Sequence, residues 1–145
     1  MKKYELTAES ITFLGRKLFR IKALVDVKDV KAGDLGGYVE KEENLSQEDD
    51  AWIYGNAEVW GNAKVCESKD YATVQGFGSC FRVSTFFKCK DKLIRVACGC
   101  FYGTIPEFRE KVRETHGDSK TAKEYLMLAD LMEFRFSKEN VDEKE

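Results

Sequence analysis

The chain has 145 residues, 34% charged and 43% hydrophobic, with a formal net charge of −2 and five cysteines. That length suits one compact domain, residues 1–137, and the near-neutral balance argues against a general affinity for nucleic acid or membrane surfaces. The opening MKKYELTAES lacks the apolar run of a signal peptide or a membrane span, so a cytoplasmic protein with reduced thiols is expected.

In chain order, residues 1–35 read as an N-terminal β segment. Phe19, Ile21, Ala23 and Val25 recur at the period of a strand. Gly15 offers a turn that pairs Ile11–Phe13 with Leu18–Arg20, and AGDLGG at Ala32–Gly37 supplies a second turn.

Residues 36–75 carry a six-residue rhythm. Val39, Leu45, Ala51, Ala57 and Ala63 keep the beat, and Ile53, Val59 and Val65 follow the last three two places on. Neither a helix nor a plain strand has that period. A triangular β-solenoid does, with each short strand followed by a corner. The Ala and Ile/Val positions should point inward together, with Gly55-Asn56 and Gly61-Asn62 at the corners. Trp52, Glu58 and Lys64 should then face out, and Tyr54 and Trp60 should lie near the outer face. Five hexads make under two coils at three hexads per coil, so the slab must lean on its flanks.

Within this stretch, Glu40–Asp50 holds six carboxylates and one lysine. The bases gather elsewhere: Met1–Leu35 has eight against five acids, and Arg82–Lys123 has ten against five. A solvated acidic loop explains such a run, and so does a binding surface.

Residues 76–137 should form a β-hairpin and two helices. Phe81–Phe101 reads as the hairpin, turning at Asp91-Lys92. Thr104, Pro106 and Glu107 make a helix start, with Ile105, Phe108 and Val112 as the buried stripe and His116-Gly117 as the stop. Ser119 opens a second helix whose apolar positions are Ala122, Tyr125, Leu126, Ala129, Met132 and Phe136. Residues 138–145 read as a flexible charged tail. The expected class is α+β, mainly β: a short left-handed β-helix-like solenoid between an N-terminal hairpin and a C-terminal hairpin with two helices.

The segments Asp34–Ser46 (DLGGYVEKEENLS), Ala51–Val65 (AWIYGNAEVWGNAKV) and Cys98–Leu126 (CGCFYGTIPEFREKVRETHGDSKTAKEYL) carry a resemblance. The repeat resembles the hexapeptide repeat of left-handed parallel β-helix proteins. The whole resembles small prophage-encoded proteins of Gram-positive bacteria, which have a variable number of YGNA-type repeats; this chain has few. The resemblance implies a phage accessory protein whose target is a host or phage protein.

Candidate chemistry is sparse. Cys98 and Cys100 share a strand face, Cys89 lies on the partner strand, and Cys80 with His116 would complete a zinc site. The spacing is not that of a zinc ribbon, and buried thiols acting as small apolar residues explain the same pattern. A Cys100–His116 pair lacks an orienting group, and GFGS at Gly76–Ser79 is too short to cradle phosphate. Many hexapeptide-repeat proteins are acyltransferases, but those resemble longer stacks with a histidine beside the solenoid. No catalytic residue, metal or cofactor is assigned, and a non-enzymatic protein is expected.

The candidate partner-binding set is Glu40, Glu42, Glu43, Glu48, Asp49, Asp50, Trp52, Tyr54 and Trp60. The carboxylates would imitate phosphates in the basic groove of a nucleic-acid-binding effector, as in an inhibitor of a bacterial defence nuclease of the CRISPR kind. Outward aromatics would supply apolar anchors, unless the flanking segments cover them. No membrane or direct nucleic-acid contact is expected. The alternatives are a module that self-associates through open solenoid edges, and a small-ligand binder or enzyme using the cysteine-bearing hairpin.

Overall fold

Strand β1 (Tyr4–Phe13) and strand β2 (Arg16–Ala23) form the antiparallel hairpin that the alternation predicts, with Ile11 opposite Leu18 and Gly15 in the turn at φ +80°. The computed structural model describes residues 2–13, 15–77, 83–98 and 101–137. Strand β3 (Leu35–Val39) pairs antiparallel with β2, and strand β4 (Glu58–Val59) pairs parallel with β3, closing a four-stranded sheet.

Between β3 and β4 the chain makes one circuit and returns beside itself. Val39 pairs with Val59, and Leu45 bridges Val65 in the same parallel sense and at the same offset. The inward assignment holds throughout. Val39, Leu45, Ala51, Ile53, Val59, Ala63 and Val65 are wholly buried, and Ala57 nearly so. The register is less simple than the sequence rhythm. Val39 and Leu45 share the beat of the alanines, yet they stack on Val59 and Val65. A slip of two residues keeps every inward side chain inward, so burial alone does not oppose it.

Gly36 and Gly37 let the circuit close. A Cβ on Gly36 would lie 2.7 Å from the Ile53 carbonyl oxygen and 2.8 Å from the Trp52 ring. One on Gly37 would lie 2.7 Å from the Ala57 carbonyl oxygen. Backbone approach this close admits only glycine.

Trp52 and Trp60, expected at or near the outer face, are 1% and 2% exposed because the flanking segments cover them, the alternative that the sequence left open. Trp52 meets the Tyr4 ring edge-on at 6.5 Å, beneath the N-terminal hairpin. Trp60 stacks on Tyr102 at 4.4 Å, and the Arg16 guanidinium covers its ring at 4.6 Å. A single short circuit cannot enclose its own aromatics, so it shares them with the flanking segments, whose residues complete the same core. Tyr54 does lie outside, 44% exposed.

Strand β5 (Tyr71–Val74), strand β6 (Ser84–Lys88), strand β7 (Ile94–Cys98) and strand β8 (Phe101–Thr104) form a second four-stranded sheet, antiparallel throughout. Tyr71–Val74 therefore belongs to this sheet and not to the repeat segment. The expected hairpin is its β6–β7 centre. Helix α1 (Ile105–His116) starts on the capping box of Thr104 and Glu107 and buries Ile105, Phe108 and Val112. Helix α2 (Lys120–Arg135) starts on Ser119 and buries Ala122, Leu128, Ala129 and Met132. All of these side chains except Leu128, with Phe86 and Val96 of the sheet, make a second core. The molecule is α+β and mainly strand, with two sheets and two helices.

Both faces of the circuit are covered. β2 lies along β3 on one side. On the other, Lys64 N donates to Lys88 O, and Lys90 N to Asn62 O, at 2.9 and 3.0 Å. At these positions the edges are occupied within the chain. Cys80, Cys100, Arg82, part of GFGS and the 138–145 tail lie outside the described residues.

Candidate functional site

The acidic stretch forms a rim that runs from the end of β3 to Asp50. Glu42, Glu43, Glu48, Asp49 and Asp50 are exposed, and Glu40 is half-buried. Their backbone is pinned from within by residues that the sequence did not mark. The Tyr4 hydroxyl donates to the carbonyl oxygens of Glu42 and Leu45 at 3.0 and 2.7 Å. Lys3, only 5% exposed, donates from Nζ to the carbonyls of Asp49 at 2.9 Å and Ala51 at 2.6 Å. Gln47 Oε1 accepts from the Lys3 amide at 2.7 Å and the Tyr4 amide at 3.2 Å.

Asn44 is the central staple. Its side chain is fully buried, accepts from the amides of Glu40 and Lys41, and donates to the carbonyls of Gly61 and Ala63. All the donors and acceptors of its amide are used. The signal for it was present: Asn44 is an uncharged residue amid charges, directly before an inward leucine.

Burial pushes the Lys3 ammonium below its ordinary pKa, while the carboxylates of Asp49 and Asp50 pull it back up. Burial also holds the Tyr4 phenol well above its ordinary range, and Glu42 adds to the effect. The Tyr4 phenol therefore keeps its proton and serves as a donor at neutral pH.

Several rim carboxylates have cationic neighbours. Glu42 pairs with Lys2 at 2.7 Å, Asp49 lies 3.8 Å from Lys3, and Asp50 lies 3.7 Å from Lys28. Arg16 Nη1 donates to both oxygens of Glu40 at 2.9 and 3.0 Å. Glu43 and Glu48 form no ion pair among the described residues. The rim is thus an acidic surface with lysines woven into it, and its field is weaker than a bare count of carboxylates suggests.

Tyr54 is exposed, its hydroxyl donating to an Asp29 oxygen at 3.1 Å and its amide donating to the Tyr71 hydroxyl at 2.8 Å. Trp52 and Trp60 are covered and do not join it at the surface. The structure therefore leaves Tyr54 exposed within electrostatic reach of Asp50, and covers Trp60 with the same Arg16 that binds Glu40. Trp60 Nε1 is buried without a hydrogen-bond partner.

The described cysteines Cys66, Cys89 and Cys98 do not converge. Cys89 follows β6 at the turn end of the hairpin, while Cys98 ends β7 at the other, 3.1 Å from the Ser84 hydroxyl. Among the described residues, no group of three or more His, Cys, Asp or Glu side chains converges. His116 lies against Tyr125, with ring centres 5.7 Å apart. On the basic side, Arg95 is held by a two-nitrogen contact to Asp91, each bond 3.0 Å, and Lys88 lies 3.9 Å from Asp70.

No family model and no solved structure matches the chain significantly. One protein of Escherichia coli K12, described as the uncharacterized acetyltransferase YdcK, is 36% identical over 80 residues. The match covers 45% of this chain and 24% of that relative, so the chain spans about a quarter of the relative's length. It is in keeping with the hexapeptide-repeat pattern. It also corrects the expectation that the chain is not an enzyme, because the relative bears the name of an acetyltransferase. No helix among the described residues is long and apolar enough to cross a membrane.

Proposed function

We propose that the chain is a protein-binding module that offers its Glu40–Asp50 rim to a basic surface on another protein. The observation that carries this reading is the pinning of the rim backbone by Lys3, Tyr4, Asn44 and Gln47 while five carboxylates stay exposed. A loop already held in one conformation has little entropy to lose on binding, and ordering flexible groups is a main cost of association. The circuit from Val39 to Val65 is, in this reading, one coil of a left-handed β-helix-like solenoid that acts as the platform. Its support is the pair of parallel contacts at equal offset and the buried Ala/Val positions.

The sharper form is a phage protein that inhibits a bacterial defence effector by imitating nucleic acid. The exposed carboxylates support it, and the woven lysines weigh against it. The test is capture from bacterial lysate on the immobilised chain, beside a variant with Glu43, Glu48 and Asp50 changed to Lys. A partner held at low salt, released at high salt and missed by the variant is expected. A partner held equally by both proteins would remove the rim from the account.

A second reading, acetyl transfer, is favoured by the name of the relative. It is tested by thiol release from acetyl-CoA in the presence of candidate acceptor amines and alcohols. His116 is the one histidine of the chain and the first base to replace. Release that persists in His116→Ala would exclude it as the base.

A further inference from the structure

Helix α2 buries one side against the second sheet and α1 and leaves an apolar stripe on the other. Met127, Leu131 and Phe134 are 69%, 55% and 75% exposed. Their spacing of four and three places them in one row along the helix. Among the described residues, the other exposed large hydrophobics, Leu24, Leu35, Tyr54 and Leu93, lie on other segments. A continuous row of three large side chains is the pattern of a helix that lies against another.

We propose that this face of α2 is a self-association surface on which a second copy of the chain lays its own α2 antiparallel. Three observations choose the occupant. Residues 138–145, KENVDEKE, hold one apolar side chain, Val141, a poor match for a row of three large hydrophobics. Asp130 and Glu133 lie along the same exposed side, both paired to Arg109, so the flank is mixed in charge and not the Lys/Arg-rich face with which a helix holds an anionic lipid surface. The row and its flanking charges are also self-complementary. A two-fold axis at Leu131 sets each Leu131 against its copy and each Met127 against the Phe134 of the other chain, a sulfur–aromatic contact. The same axis brings Glu124 near the other chain's Arg135 twice over, since these two residues flank the row from opposite ends. Asp130, the charge beside the axis, is already held by Arg109 at 2.7 Å, so the two copies do not meet as bare like charges.

The surface is separate from the rim, and its test does not depend on rim binding. Sedimentation equilibrium of the full chain across micromolar to millimolar concentration should show the mass rise from 16.6 kDa toward twice that value. Leu131→Glu should stay at the monomer mass with an unchanged thermal melt, and Phe134→Glu serves the same purpose if the first variant folds poorly. Glu124→Arg and Arg135→Glu should each weaken self-association about tenfold, and combining them should restore it, because the swapped charges again face each other. A chain that is monomeric throughout the range overturns the proposal. So does a dimer indifferent to Leu131→Glu and Phe134→Glu. A dimer that responds to these but is not restored by the double charge swap overturns the antiparallel arrangement.

Discussion

The Tyr4 hydroxyl donates to the Leu45 carbonyl oxygen at 2.7 Å, fastening the first strand to a rim residue 41 positions away. Both partners are wholly buried. The second bond of that hydroxyl, to Glu42 O at 3.0 Å, makes the N-terminal strand part of the site rather than a neighbour of it.

Tyr4→Phe removes the single hydroxyl proton that the Glu42 and Leu45 carbonyls share. A loss of about 1–3 kcal/mol is expected, read by chemical denaturation, because an unsatisfied buried acceptor carries its full desolvation cost. The rim should also loosen, with faster amide exchange at Glu42–Ser46.

Alkaline pH gives the same bond a second test. The Tyr4 phenol is raised above its ordinary value near 10 in the folded protein. Its stabilising contribution is therefore complete below that value. It is lost as pH rises above it toward the folded value, because the unfolded chain gives up the proton first. Tyr4→Phe cannot lose it, so the gap in stability between the two proteins should narrow above about pH 10. A gap that stays constant to pH 11 would show that Tyr4 titrates alike in both states.

Asn44→Ala should be the more damaging change. It removes two acceptors' donors and two donors' acceptor at the centre of the circuit. A cost above about 3 kcal/mol is expected, beyond that of a single unmade hydrogen bond. Asn44→Asp should rescue little, since a carboxylate cannot donate to Gly61 and Ala63.

Ala57→Leu tests the packing of the circuit. Ala57 is 2% exposed, and its backbone lies against Gly37. Overpacking should cost about 1–3 kcal/mol in a melt or denaturant titration. A neutral result would mean that the interior has room that the burial of its neighbours denies.

The woven lysines offer a gain-of-function test of the rim. Lys2→Ala and Lys28→Ala each remove a cation from beside an exposed carboxylate, Glu42 or Asp50. Exposed pairs contribute about 0–1 kcal/mol to stability, so the fold should tolerate both. Binding to a basic partner should tighten and steepen in its salt dependence, measured by titration at two ionic strengths. Weaker binding on losing these lysines would mean that the partner reads the lysines themselves.

The sequence by itself determined the local devices: the Gly15 hairpin, the inward Ala/Val rhythm, the Thr104–Glu107 cap and the second helix start at Ser119. Each depends on residues within a few positions of one another, where dihedral preference and side-chain period decide the outcome. Tertiary structure alone decided the fate of Trp52 and Trp60. A rhythm states which side a residue faces but not what lies beyond that side, and here Tyr4, Arg16 and Tyr102 come from distant segments to cover them. It likewise decided that Val39 stacks on Val59, since side chains of period two leave either register buried. The acidic run was plain in the sequence, but its pinning by Lys3 and Tyr4 was not. Those residues lie about forty positions away and act by hydrogen bonds to backbone carbonyls, which are the same for every residue and leave no mark on the sequence that accepts them.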